Sequence, residues 1–362
     1  MESVTLIYRI AFASLRGLSL TAARELLSRC GSEERFFSLS ADELTHITGN
    51  RNRMWDDTLR TRLLDEARRE ADFIAGHQVT CLYFTDPAYP QRLLNCDDAP
   101  LMLYALGHCN LNSSNVMAVV GTRHATSYGS DITSRIITDL ASQAAEPPVI
   151  VSGLALGIDI AAHRAALKAG VPTVAVLAHG LNTIYPAVHR NYAVDIINNG
   201  GMLLTDYRSA DAVHRGNFLA RNRIVAGMSD CLLVTESAAK GGALVTARLA
   251  AEYDREVMAV PGRVGDMYSE GCNRLIFSHA ARLVTSATDI LNAMRWAERP
   301  AEGEQGSLFE ELTAEETAVM DTIREEGDAS FSLLIQKLHI PAPRLTGLLV
   351  DMEFKGYIRS IP

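Results

Sequence analysis

The sequence predicts an α/β protein whose central element is a doubly wound parallel sheet. Six short apolar runs recur between residues 116 and 262, and each is followed by a glycine or polar loop and then by a segment of helical periodicity. Strands that are apolar on both faces and alternate with helices are typical of a parallel sheet covered on both sides. The runs are VMAVVG (116–121), PVIVSG (148–153), TVAVLAHG (173–180), GMLLTDY (201–207), CLLVTE (231–236) and EVMAVPG (256–262).

The segment before the sheet predicts a small helical domain over residues 1–78. Its apolar residues recur at helical spacing, and Ser40 followed by Glu43 has the pattern of a capping box. The stretch LLSRCGSEERFFSLS could form a SAM-like or helix-hairpin-helix module on a phosphate backbone. A packed helical domain uses the same glycine turn, and we favour packing. The sheet domain then spans residues 79–296, and prolines over residues 80–107 predict edge strands at its start.

The segment after the sheet predicts a linker and a third domain. Residues 297–307, AERPAEGEQGS, have no periodicity and are typical of a linker. Residues 308–362 give three short helices and a terminal strand pair, the order of a winged helix. Arg344 is the only basic residue in the helix that would serve as the recognition helix. Residues 291–362 hold 7 basic and 13 acidic residues. We therefore expect this domain to contact protein or to stabilise the chain, with DNA contact as the alternative.

Charge and cysteine content narrow the possible partners. The net charge is −9, but residues 116–290 carry 15 basic and 15 acidic residues, so a local basic groove is compatible with the sheet domain. Arginine supplies 30 of the 34 basic residues, which suits phosphate binding but also follows from genomic base composition. The six cysteines form no metal-ligand or CxxC pattern, and the N-terminus fits neither a signal peptide nor a membrane span. We expect a cytoplasmic protein with no membrane partner.

The loop after the first parallel strand is a candidate anion site. Ligands of open parallel sheets bind beyond the carboxyl ends of the strands. There Gly121 and Thr122 offer backbone amides at the start of a helix, and Arg123 adds a charged fork. No GxGxxG or GxxxxGK[ST] motif is present, so neither NAD nor ATP is expected and we predict no cofactor.

Two further loops carry polar or glycine-rich segments. Lys240, Gly241 and Gly242 form an amide-rich cradle after the fifth strand. Ser152 and Gly153 open the second loop, SGLALGIDIAAHRAAL.

That second loop leads into a helix on which Asp159 and His163 share a face. The two side chains could be a catalytic pair, but no matching nucleophile or third ligand accompanies them. We therefore favour capping and an internal hydrogen bond.

The loop after the fourth strand, HRGNFLARNRIVAG (214–227), places one phenylalanine among basic residues at the start of a helix. A ring at the rim of the strand ends, beside cations, is typical of a platform on which an unpaired base stacks. Alternatively the ring packs beneath its own loop, and residues 221–223 hold neighbouring loops together. The candidate binding residues of this segment are Arg215, Asn217, Phe218, Arg221 and Arg223.

Phosphate-binding character at four loops exceeds what a single nucleotide requires. Anionic contacts spread along one sheet edge, with an aromatic ring among them, indicate an extended polyanion with exposed bases. Single-stranded DNA is the expected partner.

Several stretches resemble the motifs of the DNA-processing protein A family, DprA, also called Smf. They are VVGTRHATSYG, SGLALGIDIAAHRAAL and FLARNRIVAGMSDCLLVTE, and KGGALVTARLAAE, VPG and GCNRLI follow in the family order. The resemblance implies an extended Rossmann-like domain that binds and protects single-stranded DNA and helps load the RecA recombinase, chiefly in natural transformation. It also implies a homodimer, with Arg123, Arg215 and Phe218 contacting the strand.

The chain departs from the family pattern in three places. Gly241 and Gly242 stand where the family commonly has S-G-S/A. Ala187 and His189 replace the residues that usually follow Tyr-Pro. His279 and Ala280 replace the usual Gly-Ala, where a subunit contact is expected.

An enzyme on a related sheet is the alternative from a different class. Nucleoside-monophosphate phosphoribohydrolases carry the motif P-G-G-x-G-T-x-x-E. In KGGALVTAR, Leu244 and Val245 stand in place of Gly and Thr, and Arg248 occupies the position of the glutamate. We therefore expect a binding protein and not an enzyme.

Overall fold

A computed structural model describes residues 3–299, 313–326, 329–354 and 357–358 of the protein. The chain divides into two compact units, Met1–Arg299 and Pro300–Pro362. The first unit extends past residue 296, because the Ala145 amide donates to the Ala297 carbonyl at 2.9 Å and Ala144 bridges to Glu298. The predicted linker therefore begins inside the first unit, and most of it lies outside the described residues.

The first unit opens with five helices, and side-chain caps set the starts of four of them, α2 to α5. Ser19, Ser32 and Asp56 cap α2, α3 and α5, while Ser40 and Glu43 form the predicted capping box at α4. The helices are α1 (Ser3–Ala13), α2 (Leu20–Cys30), α3 (Glu33–Ser38), α4 (Ala41–Thr48) and α5 (Asp57–His77).

A nine-stranded sheet follows, in the order β1-β2-β6-β5-β4-β3-β7-β8-β9. The pairs β1–β2 and β2–β6 are antiparallel and every other pair is parallel. The six predicted strands are β3 to β8, so the α/β prediction is confirmed. The strands are β1 (Thr80–Tyr83), β2 (Met102–Gly107), β3 (Val116–Val120), β4 (Val149–Ser152), β5 (Thr173–Val176), β6 (Met202–Thr205), β7 (Cys231–Val234), β8 (Glu256–Ala259) and β9 (Arg282–Leu283).

Helices cover both faces of the sheet, as the fully apolar strands require. Alternate residues of β3 enter different cores: Met117 packs with helix residues such as Ile136, while Ala118 belongs to a cluster that also contains Phe12 of α1. The N-terminal helices therefore share a core with the sheet. The helices are α6 (Ser127–Gln143), α7 (Ile158–Ala169), α8 (Arg190–Asn198), α9 (Arg215–Gly227), α10 (Gly242–Glu252), α11 (Glu270–Phe277) and α12 (Ala287–Met294).

The chain reverses its direction of progress across the sheet at β3. From β3 it proceeds to β4, β5 and β6 on one side, then returns to β7 and β8 on the other. The loops after β3 and β7 therefore diverge at a topological switch point, where doubly wound sheets open a crevice for ligands.

The described part of the second unit contains three helices, α13 (Ala314–Glu326), α14 (Phe331–Leu338) and α15 (Ala342–Phe354). Val319, Leu334, Leu345 and Met352 form its small apolar core. The predicted strand pair falls largely outside the described residues, so the winged helix stays a prediction. Within the described part of both units, no helix is long and apolar enough to cross a membrane.

Candidate nucleic-acid interface

An aromatic and cationic cluster lies at the carboxyl edge of the sheet. The guanidinium carbon of Arg123, from the loop after β3, lies 5.4 Å from the centroid of the Phe218 ring. The Tyr185 ring, from the loop after β5, meets Phe218 edge-on, with centroids 5.5 Å apart and planes at 62°. Both separations fall within the range of favourable cation–π and aromatic contacts. Two loops and the first turn of α9, far apart in sequence, thus form one surface, which we call the aromatic platform (Arg123, Tyr185, Phe218).

The platform faces solvent. Tyr185 is 53% exposed, Arg123 is exposed, and Phe218 is half-buried. Phe218 contacts Arg123 and Tyr185, but part of its side chain stays accessible to solvent, as stacking of a base requires.

A buried histidine fixes the loop that carries Tyr185. His179 is 1% exposed, and its Nε2 accepts a hydrogen bond from the Tyr185 amide at 3.2 Å. Its Nδ1 lies 2.9 Å from the Gly180 carbonyl oxygen, which can only accept. The ring is therefore the tautomer that is protonated on Nδ1. No local sequence pattern indicates this function for His179 or Tyr185.

The loop Gly121–Arg123 is held by its backbone, which leaves the arginine side chain free to point outwards. The Thr122 amide donates to the Glu236 carbonyl at 2.7 Å, and the Thr122 carbonyl accepts from the Ile158 amide at 3.1 Å. A Cβ on Gly121 would overlap the Ile158 side chain, so the close approach of loop and helix requires glycine there.

The start of α6 differs from the prediction. We expected its amides to bind an external anion, but the Glu236 carboxylate already lies there. Its Oε2 accepts from the Thr126 amide at 2.9 Å, and a Cβ on Gly129 would overlap that carboxylate. Thr126 caps the helix by accepting from the Gly129 amide at 3.2 Å. The Thr126 and Gly129 amides at this helix start are therefore paired within the protein, and Glu236 is a residue that the sequence pattern did not indicate.

Five other helices at this edge, α7 to α11, begin without a side-chain cap. Among them are α7, α9 and α10, whose N-cap residues are Gly157, His214 and Gly241. Lys240 and Gly242 beside the start of α10 are exposed. The predicted cradle over Lys240–Gly242 thus keeps amide donors that no side chain caps.

Arg221 is a structural residue, in agreement with the alternative raised from the sequence. It is 4% exposed, and its Nη1 donates to the carbonyls of Gly153, at 2.6 Å, and of Val176. A Cβ on Gly153 would overlap the guanidinium group. Arg221 therefore joins the ends of β4 and β5 and has no guanidinium surface for a DNA strand.

Ser152 is likewise a structural residue. It is fully buried, and its hydroxyl donates to the Val119 carbonyl at 2.6 Å. The predicted contacts of Ser152 and Gly153 with DNA are corrected to loop packing, since neither offers a free polar side chain.

The other predicted binding residues of α9 differ in whether their polar groups are already paired within the protein. Arg223 donates to Asp206 and to the Asp98 carbonyl, so its charge is already paired. Asn217 Nδ2 donates to the Ala212 carbonyl at 3.2 Å. Arg215, the first residue of α9, is exposed, and within the described residues it forms no ion pair. Arg215 is thus the member of this set that is available to a phosphate.

A buried carboxylate from the N-terminal helices holds the loop that leads into α9. Glu70 of α5 is 4% exposed and accepts from the Ser209 amide at 3.0 Å and from the Ser209 hydroxyl at 2.6 Å. Beside it Glu66 pairs with Arg208 at 2.8 Å. No local sequence pattern indicates this link, because the two segments are 139 residues apart.

Asp159 and His163 do not form a catalytic pair. His163 is buried, and its Nδ1 donates to the Thr173 hydroxyl, 2.8 Å away, which itself donates to the Ile150 carbonyl. Burial, and secondarily the charge of Arg221, lowers the pKa of His163 to about 3. Asp159 Oδ2 lies 3.4 Å from the Ala155 amide. The internal hydrogen bond favoured from the sequence is the one observed for His163.

Comparison with known proteins identifies the family. Residues 80–295 match the family model described as DNA recombination-mediator protein A. The chain belongs to this family. It is 39% identical over 206 residues to the DNA processing protein DprA of Streptococcus pneumoniae, covering 57% of this chain and 71% of that protein. It is 34% identical over 278 residues to the protein Smf of Escherichia coli, covering 76% and 73%.

Two solved structures of the family have the same fold. DNA processing protein A from Streptococcus pneumoniae superposes with a TM-score of 0.65 at 30% identity, over 79% of this chain and 97% of that one. The protein from Helicobacter pylori, a structure described for its single-stranded DNA binding mode, gives a TM-score of 0.54 at 29% identity, over 61% and 98%. Membership of the recombination-mediator family thus rests on sequence and on fold.

Proposed function

We propose that this family member binds single-stranded DNA along the carboxyl edge of its sheet, protects it, and delivers it to the RecA recombinase in the cytoplasm during natural transformation. The observation that carries the proposal is the aromatic platform, where an exposed arginine and two rings from three separate segments meet. Stacking on such rings requires an unpaired base face, which a duplex does not offer.

Charge complements the platform. Arg123, Arg215 and Lys240 are exposed at the starts of loops or helices on this edge. Each can bind a backbone phosphate without reading the base, so binding should depend on salt and not on sequence. The fixed loops beneath them, joined by Arg221 and Glu236, keep these contacts preorganised.

Protection follows from the same contacts, because a strand whose bases and phosphates face protein is less accessible to nucleases. Transfer to RecA requires in addition that each contact be weak enough to release the strand. Contacts to exposed arginines, screened by solvent, meet this requirement.

We also propose that the protein acts as a homodimer. Large apolar side chains lie exposed in and beside α11: Val264 is 92% exposed and Phe277 is 86% exposed, and both line one cavity. His279, with φ 56°, follows the helix and stands where the family pattern has glycine. An apolar surface of this kind is typical of a subunit contact.

Binding of single strands and duplexes of equal length and mixed sequence tests the main proposal. We expect the single strand to bind at least about tenfold more tightly, since base stacking contributes about 1 to 3 kcal/mol per nucleotide. Equal affinity for the two forms would overturn it. Incubation with AMP and chromatography for free adenine tests the enzymatic alternative. Arg248 stands where the enzyme motif has its glutamate, and it is exposed on α10 with its Nε 3.5 Å from Glu252.

Sedimentation tests the dimer. Phe277→Asp should convert a dimer at micromolar concentration to a monomer, because a charge there opposes burial. Val4→Asp, which changes an exposed apolar residue of α1, is the matched control. A parent protein that is strictly monomeric and still stimulates RecA would separate self-association from loading.

A further inference from the structure

A groove continues from Arg123 between α6 and α7. Its volume is about 550 Å³, and Arg123, Arg164 and Lys168 contribute its basic side chains while Asp131 is the acidic side chain in its lining. Leu156, which is 48% exposed, adds apolar surface beside Arg123. The groove is therefore continuous with the aromatic platform and carries an excess of positive charge.

The two distal cations are on one face of α7. Arg164 and Lys168 are four residues apart, so they lie one turn from each other, and both are exposed. Within the described residues neither forms an ion pair. Such pairing is common for the exposed arginines of α2 and α5, among them Arg29 and Arg68. Unpaired cations in one groove are available to a polyanion.

Arg164, which lines this groove, forms a second arginine and aromatic pair with a residue of α8. The guanidinium carbon of Arg164 lies 5.8 Å from the centroid of the Tyr192 ring on α8. Tyr192 is half-buried and packs against the ring of His189, with centroids 6.2 Å apart. The arginine is thus held against a ring that is itself fixed, as Arg123 is held against Phe218.

We propose that a bound single strand continues from the aromatic platform into this groove, where Arg164 and Lys168 bind its phosphates and Tyr192 holds Arg164 in position. This inference rests on the single-strand binding proposed above and names a further part of the path. A short strand occupies the platform alone, while a longer one also reaches α7.

Fluorescence anisotropy with labelled single strands of two lengths tests the inference. Strands of about 4 and about 16 nucleotides bracket the site sizes of comparable single-strand binders. The variant is Arg164→Ala with Lys168→Ala. Its matched control is Arg24→Ala with Arg68→Ala, which removes two exposed basic residues from α2 and α5.

We expect the groove variant to bind the short strand like the parent protein. For the long strand the dependence of log affinity on log salt should weaken by about 1.4, about 0.7 for each lost phosphate contact. The control variant should match the parent at both lengths. Tyr192→Ala should weaken long-strand binding, and Tyr192→Phe, which retains the ring, should restore it.

The outcomes distinguish the two proposals. If the parent binds neither strand, single-strand binding itself is wrong. If the parent binds both and the groove variant keeps the full salt dependence on the long strand, the path over α7 is wrong while the platform stands. Equal losses on both lengths would also contradict the inference, because the groove would then not be a separate part of the path.

Discussion

The Arg123 guanidinium group lies against the Phe218 ring, 5.4 Å from its centroid, although Arg123 follows β3 and Phe218 lies on α9, which follows β6. Their effects on binding should therefore depend on each other. The losses of single-strand affinity caused by removing the Arg123 charge and by removing the Phe218 ring would be independent only if the two groups did not touch.

A double-mutant cycle measures this coupling. Phe218→Ala should cost roughly 1 to 3 kcal/mol of single-strand affinity with the salt dependence unchanged, because stacking releases no counterions. Arg123→Ala should lower the salt slope by about 0.7. The double variant should lose about 0.5 to 1 kcal/mol less than the sum, since each single change already breaks the cation–π contact.

Melting temperature is the control for that cycle. Arg123 is exposed and Phe218 half-buried, so both single variants should stay folded at the assay temperature. A Phe218→Ala protein that melts much earlier yet binds normally when folded would show that the ring is packing. Losses that add without remainder would show that the contact has no energetic role.

The contact between the Arg221 guanidinium group and Gly153 leads to a prediction about the stability of the fold. Arg221→Ala should lower the free energy of unfolding by about 3 kcal/mol or more, because it removes a buried cation from two carbonyls and from the neighbourhood of Asp159. Gly153→Ala should also destabilise the parent, since the new Cβ overlaps the guanidinium group. In the Arg221→Ala background the same change should cost almost nothing. Urea unfolding of the four proteins checks this, and additive costs would refute it.

Glu70 provides a prediction about positioning. Glu70→Ala removes the acceptors of the Ser209 amide and hydroxyl, which frees the loop before α9. A bound strand would then have to order that loop, and we expect single-strand affinity to fall by roughly 1 kcal/mol, about fivefold. Anisotropy below the melting range of the variant measures this. Glu25→Ala, at an exposed carboxylate that pairs with Arg29, is the control, and an unchanged affinity of the folded Glu70 variant would exclude a positioning role.

His163 gives the protein a pH dependence of known sign. Its pKa is lowered from 6.5 to about 3 in the folded protein, so below pH 6.5 the unfolded chain binds a proton that the folded chain does not. Stability should therefore fall with falling pH, by about 2 kcal/mol between pH 7 and pH 5. His163→Asn retains a donor toward Thr173 and should remove this part of the dependence. Identical pH profiles of the two proteins would contradict the assignment.

Much of this architecture could be predicted from sequence, because a doubly wound sheet imposes its own geometry. Apolar runs alternating with helices specified β3 to β8, and parallel strands bring the loops at their carboxyl ends together. That rule placed Arg123 near the segment containing Phe218 without any knowledge of the contact between them.

The errors concern which way individual side chains point. Helical spacing groups Arg221 and Arg223 with Phe218, but it does not reveal the carbonyls of Gly153 and Val176 that take up the Arg221 charge. No local pattern indicates the function of Glu236, because its partner Thr126 lies after β3 while Glu236 itself follows β7. Contacts between distant segments have no local pattern, and these residues are recognised only in the folded chain.

The carboxylate of Glu236 at the start of α6 also bears on selectivity. Free nucleotides carry their charge in one compact group, and such a group is bound best where a helix start and an arginine act on it together. With a carboxylate in that position, the start of α6 beside Arg123 is not such a site, and the proposed affinity for a strand is summed over separate phosphates. A polymer gains from that summation by avidity, whereas a mononucleotide does not. We therefore expect a long strand to bind in the presence of many small phosphorylated molecules, because these compete weakly for the same edge.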